Sequence, residues 1–159
     1  MLTDLQKVDA IVKHIQNVQL NCIKLGEKLI EIGEVDLGRR LIANSFLHDN
    51  SKLRDNIEWD GMWNKRAKST MEKAINHHRA SNLHHPQAWL GGIKSMTDEY
   101  LAEFVCDACT RSAEFGTSVR EWIDNKATSV YNFTDKDEVY TKLLRFLDLL
   151  LEKPFEQVK

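Results

Sequence analysis

Apolar residues recur three or four positions apart from about Leu5 to Ile32, through Val8, Ile11, Val12, Ile15, Val18, Cys22, Leu25 and Leu29. That is the period of one buried face of an α-helix. Thr3 and Gln6 form a capping box at its start, and Gly33 is a natural stop. A second periodic run from about Val35 carries Leu37, Leu41, Ile42, Phe46 and Leu47 and ends near Asp49-Asn50-Ser51. The stretch from Lys52 to Lys68 is polar, with Trp59, Met62 and Trp63 scattered through it, and reads as irregular structure or one short helix. Ser69 and Glu72 form another capping box, opening a helix to about Ala80. A loop follows from Ser81 to Pro86 and closes at Gly91-Gly92.

Thr97, Asp98 and Glu99 start a further helix through Tyr100, Leu101, Phe104, Val105 and Ala108 towards Gly116, with the acids suiting its N-terminal dipole. Val119 to Ile123 adds a turn or more. In the polar connection from Asp124 to Thr134, Ser129-Val130-Tyr131-Asn132-Phe133 is the one candidate strand. Thr134 and Asp137 cap the last helix, Val139 to Leu151, which Pro154 ends. The pattern predicts a single all-α domain over residues 1–159, a bundle of five to seven helices without internal repeat or linker.

Composition narrows the function classes. With 159 residues, 42% of them hydrophobic, one domain buries a core that needs neither disulfides nor a structural metal. Lys+Arg 22 against Asp+Glu 24 leaves a formal charge of −2, which speaks against general nucleic-acid binding. No apolar run approaches the roughly 18 residues of a membrane span. Three sparse cysteines fit a reducing compartment, and the expected location is the cytoplasm.

The candidate chemistry lies in six histidines, of which His77, His78, His84 and His85 crowd one helix end and the loop after it. Imidazoles beside carboxylates suit transition metals. At about 100° per residue, His48 extends the apolar stripe of Leu37, Leu41 and Ser45 and points inward. His78 shares the side of Met71, Ala74 and Ile75, while His77 is turned away, so His78 is the better ligand. Asp107 falls between Tyr100 and Phe104, at the margin of an apolar face, where a bare carboxylate is costly. Either Arg111, as a plain ion pair, or a metal satisfies it. His14 flanks its stripe near Ile11 and Val18, a place more often held by a hydrogen-bonded core histidine.

The ordered set resembles the HD-domain superfamily of metal-dependent phosphohydrolases, with its H…HD…D signature, and His48-Asp49-Asn50-Ser51-Lys52 resembles its H-D-x-G-K form. Ser51 stands where many relatives carry Gly. The run from His78 through Asn82 to His84-His85 is similar to an uncharacterised, partly phage-associated HD-like branch with HDxSK and HxxxNxHH motifs. The resemblance implies an HD-like helical domain in which His14, His48, Asp49 and Asp107 bind metal, with Lys52 near a substrate phosphate. His78, with His84 or His85, completes a second site, and Asp49 bridges the two.

The expected cofactor is one or two divalent ions (Mn, Fe, Co, Mg or Zn), and the expected activity is hydrolysis of a nucleotide or other small phosphate ester by a metal-activated water, with Asp49 and Lys52 as the catalytic pair. Asn82 orients a histidine, caps the helix end or reaches substrate beside Lys52. Asp55 and Glu58 read more naturally as an exposed acidic loop than as general acids. Two alternatives share the ligand set: a di-iron oxygenase on an HD-like scaffold, and a non-catalytic metal- or ligand-binding helical protein. Cys106-Asp107-Ala108-Cys109 lies inside a helix with no second pair and reads as two semi-buried thiols. Arg39, Arg40 and Arg111 read as solvated or ion-paired. Trp59, Trp63 and Trp89 read as core plugs more readily than as stacking platforms.

Overall fold

A computed structural model describes residues 3–63 and 68–152. Its elements are α1 (Asp4–Glu31), α2 (Val35–Ser45), α3 (Ser51–Arg54), α4 (Asn56–Trp63), α5 (Lys68–Ser81), α6 (Asp98–Phe115), α7 (Val119–Trp122), α8 (Thr128–Val130) and α9 (Glu138–Leu150). Six of them have eight residues or more, and the fold is an all-α bundle.

Local chemistry explains most boundaries. At the head of α1, the Gln6 amide donates to Thr3 Oγ1 at 3.3 Å and the Thr3 amide donates to Gln6 Oε1 at 2.9 Å, closing the capping box. Gly33 at φ 92° and Gly116 at φ 64° end α1 and α6 in the left-handed region that glycine enters without strain. Ser69 lies inside α5 rather than ahead of it. Pro154 and the Trp63 side chain lie outside the described residues.

The candidate strand at 129–133 is a correction, and no strand occurs among the described residues. A π-helical turn, Ile123–Ala127, runs into α8, and the Phe133 amide then closes on the Thr128 carbonyl at 3.1 Å. The β-branched and aromatic composition of that stretch serves burial instead, with Phe133 in the core.

The core is built by α1, α2, α6 and α9, whose residues Val18, Leu25, Leu29, Leu41, Leu101, Val105, Leu143, Phe146 and Leu147 are fully buried. A second pair, α4 and α5, packs together and against α3. No helix among the described residues is long and apolar enough to cross a membrane.

The α1–α2 hairpin is a close joint. Gly26 faces Gly38 and Ile42, and Gly38 faces Gly26 and Ile30, an antiparallel register in which backbones touch. A Cβ at Gly26 would stand 2.5 Å from Ile42 Cγ1 and 2.8 Å from the Gly38 carbonyl. Gly→Ala inside a helix ordinarily stabilises by about 1 kcal/mol. Here overpacking dominates, and Gly26→Ala is expected to destabilise by about 1–3 kcal/mol. The thermal melt followed by circular dichroism should fall by about 2–4 °C for each kcal/mol lost; an unchanged or higher midpoint contradicts the close packing.

Candidate metal centre

Seven side chains from five parts of the chain converge on one point: His14 from α1, His48 and Asp49 from the turn after α2, His78 from α5, His84 and His85 from the loop after it, and Asp107 from α6. Three overlapping sets have their ligand atoms within 4.8 Å of one another: Asp49, His78, His84 and His85; His14, His48 and Asp49; His48, His84 and Asp107.

The backbone explains how adjacent residues serve one centre. Neighbours on a regular helix diverge by about 100°. Asp49 instead takes φ 53°, a left-handed conformation that a short polar side chain tolerates. The chain reverses there, and both His48 and Asp49 face inward at 1% exposure.

Asp49 lies at the hub. Its Oδ1 is 3.1 Å from His78 Nε2 and 3.3 Å from His84 Nε2, and its Oδ2 is 3.6 Å from His48 Nε2 and 3.7 Å from His14 Nε2. Each carboxylate oxygen thus faces a different group of imidazoles. Oδ2 also pairs with the Lys52 ammonium. On the far side, Asp107 Oδ1 is 3.1 Å from His14 Nε2.

A layer of carboxylates behind the imidazoles fixes their tautomers. His14 Nδ1 bonds Glu114 at 2.8 Å, His48 Nδ1 bonds Glu103 at 2.9 Å, and His78 Nδ1 bonds Glu58 at 2.9 Å; His84 Nδ1 lies 3.3 Å from Glu103. With the proton on Nδ1, each Nε2 presents a lone pair to the centre. Lone pairs then face carboxylate oxygens. Among the described residues, the buried side-chain atoms without a hydrogen-bond partner are His14 Nε2, His48 Nε2, His84 Nε2, Asp49 Oδ1 and Asp107 Oδ1. All belong to this centre. An unsatisfied buried group costs about 1–3 kcal/mol, so their convergence requires positive charge, as protons or as metal. The donor set, imidazole nitrogen with carboxylate oxygen, fits a divalent transition metal.

The electrostatics agree. Burial opposes a charged imidazole at His84, yet Asp49 and Glu103 outweigh it and push the group up to about 10. Burial raises the Asp49 carboxyl, but His78, His84, His48 and Lys52 hold it well below the ordinary range. Burial likewise opposes ionisation of Glu103, which the bonds from His48 and His84 keep below its usual value. His85 behaves oppositely: burial and repulsion from His84 and His78 lower it to about 3. Its Nε2, 3.0 Å from His78 Nε2, is a neutral donor atom facing the same point.

Every residue expected to bind metal lies at the centre, and His84 and His85 both belong to it. Other expectations are corrected. Arg111 does not neutralise Asp107; it pairs with Glu114 at 3.1 Å, and His14 meets Asp107 instead. Glu58 is no exposed loop acid, since α4 turns it inward to 1% exposure against His78. His77 is turned away as expected, 3.3 Å from the other Glu58 oxygen. Asn82 donates to the His78 carbonyl at 2.8 Å and to Ser51 Oγ at 3.0 Å, tying α5 to α3 from behind His78. Trp89 plugs the loop, donating to the Leu83 carbonyl at 2.8 Å and packing on Tyr100. Burial pushes the Cys109 thiol up to about 12 and Cys106 well above its ordinary value, so the C-x-x-C pair is inert.

The carboxylates Glu103 and Glu114 escaped the sequence reading. Their signal was present: Glu103, Asp107 and Glu114 fall at i, i+4 and i+11 on α6, one acidic stripe along the helix.

Two outcomes follow. Glu103→Gln is expected to weaken metal affinity about 10- to 100-fold in competition with a chromogenic chelator, because two imidazoles lose their orienting charge. In the metal-free protein His84 holds a proton up to about pH 10. An incoming ion must displace it, so metal binding should release protons at neutral pH and weaken as pH falls, read by calorimetry in buffers of differing ionisation enthalpy. Without metal, the stabilisation from protonated His84 is complete below its ordinary 6.5 and is lost as pH climbs towards 10.

No curated protein and no solved structure matches the chain. The model of a family of unknown function (DUF5662) matches residues 3–148, a span holding every residue of the centre, and the chain belongs to that family.

Proposed function

We propose that this protein is a metal-dependent phosphohydrolase that takes one or two divalent ions at the His/Asp centre and cleaves a small phosphate ester in the cleft above it. The observation that carries the reading is a cleft with three basic side chains in its wall that reaches the His/Asp centre at Asp107, whose Oδ1 is buried and unsatisfied. A cavity of about 270 Å³ lined by Lys52, Arg79 and Arg111 reaches His78, His85 and Asp107. Arg79 has no carboxylate partner among the described residues. The order His14…His48-Asp49…Asp107, with Lys52 three positions after Asp49, resembles that of the HD-type phosphohydrolases and supports the same reading.

A divalent ion here supplies Lewis-acid charge and a water acidic enough to act near neutral pH. The chain's residues do the rest. His14, His48, Asp49, His78, His84, His85 and Asp107 are the residues that would hold the ion. Lys52 and Arg79 neutralise phosphoryl oxygens in a partly dry cleft, where charge acts more strongly than in water. In the overall reaction the water oxygen bonds to phosphorus, the ester P–O bond breaks, and the leaving oxygen departs as an alcohol with one proton from the water.

One observation favours a second reading. The centre gathers seven candidate ligands, more than one ion needs and enough for the di-iron oxygenase order H…HD…H…H…D.

Protein purified without chelator should carry divalent metal by elemental analysis, and His48→Ala and Asp107→Ala should lose it. Reconstituted with Mn or Co, it should release phosphate from members of a phosphometabolite panel without consuming oxygen. Lys52→Met should keep the metal and lower kcat/KM about 100-fold. Iron with a paramagnetic signal on partial reduction, and oxygen uptake without phosphate release, would replace this reading by the oxygenase. Bound metal with a lower Tm on chelation and no turnover would reduce the centre to a binding or structural site.

A further inference from the structure

The cleft has a second lobe. Another cavity, also about 270 Å³, adjoins the cationic one and shares His85, Asp107 and Arg111 with it. The two lobes therefore meet over the metal centre, and their walls differ in kind. The second is aromatic. Phe104, Trp122 and Tyr131 line it and touch one another, with centroids 5.9 Å apart for Phe104 and Trp122, 5.6 Å for Phe104 and Tyr131, and 6.4 Å for Trp122 and Tyr131.

Backbone geometry builds this wall. Trp122 and Tyr131 are nine positions apart, which on a regular helix would set them on opposite faces at about 100° per residue. The π turn at Ile123–Ala127 and the end of α8 at Tyr131 intervene, and both rings line one lobe. The Phe104–Tyr131 and Trp122–Tyr131 pairs meet at 81° and 71°. Edge-on contact of this kind is a preferred aromatic geometry. Trp122 and Tyr131 are only half-buried, whereas Phe104 beneath them is almost closed off. Ser112 and Thr117 add hydroxyls at the margin.

We propose that this lobe seats a planar aromatic group on the leaving side of the scissile phosphate, as a nucleobase or an aryl ester supplies, with Trp122 and Tyr131 as its specificity-determining residues. The placement of phosphorus rests on the phosphohydrolase reading; the stacking seat does not. An anionic phosphoryl group belongs over the metals on the side of Lys52 and Arg79, and the uncharged remainder extends past His85 and Arg111 into the aromatic lobe. Stacking on such rings contributes on the order of ten- to a hundredfold in affinity.

The test uses the whole metal-loaded protein, with calorimetric titration of adenosine 5′-monophosphate, phenyl phosphate and glycerol 3-phosphate, and of adenosine alone. The two ring-bearing esters should bind at least about tenfold more tightly than glycerol 3-phosphate, and Trp122→Leu and Tyr131→Leu should abolish that difference. Trp122→Phe, which keeps a ring, should retain most of it, separating stacking from misfolding. Preference for the adenosine ester over phenyl phosphate identifies a nucleobase as the occupant, and parity identifies any aryl group. Ring-dependent binding that needs Trp122, with no phosphate release from any ester, keeps the seat and removes the hydrolase reading. Equal affinity for ringed and ringless esters, or a Trp122→Leu loss spread equally over all of them, overturns the proposal.

Discussion

Acceptor atoms facing one another out of reach of water dominate this molecule. Lone pairs of His14, His48 and His84 Nε2 and oxygens of Asp49 and Asp107 meet with no hydrogen bond between them. Such a cluster is repulsive unless positive charge enters it. In the metal-free protein protons supply part of that charge, which is why His84 is pushed up to about 10. A divalent ion supplies it more compactly. The carboxylates Glu58, Glu103 and Glu114 keep the arrangement from relaxing, because each occupies an Nδ1 and leaves the ring one orientation.

The bundle can be understood as the support this centre needs. The glycine contact between α1 and α2 lets two backbones touch, and His14 on α1 and His48 after α2 lie in one ligand set. The stripe on α6 brings Asp107 to the centre and Glu103 and Glu114 behind its imidazoles from a single helix. The left-handed residue Asp49 lets two neighbours in sequence face one centre. A hub inside such packing is held by elements that also build the core, so the ligand geometry and the stability of the fold are not separable.

Above the hub the cleft divides by chemistry. Its cationic side draws on α3, α5 and α6 through Lys52, Arg79 and Arg111, and its aromatic side draws on α6, α7 and the turn after α8. The residues between the lobes, His85 and Asp107, belong to the centre itself. Of the side chains lining the two lobes, Lys52 was marked in the sequence by its distance from Asp49. Trp122 and Tyr131 were not marked, since nothing local distinguishes a ring lining a cleft from one filling a core.

Periodicity and capping chemistry along the chain determined the all-α class, the limits of α1 and α6, and the inward faces bearing His48, His78 and Asp107, because these depend on contacts within about one helical turn. The ordered histidines and aspartates also marked, before any geometry was known, the side chains that the fold brings together. Only the tertiary structure decided that Glu58 is buried, that Glu103 serves two imidazoles, that Arg111 turns to Glu114 rather than Asp107, and that residues 129–133 finish a helix instead of forming a strand. Those outcomes depend on which surfaces meet across tens of residues, and a carboxylate's partner or a ring's neighbour at that range leaves no period in the sequence.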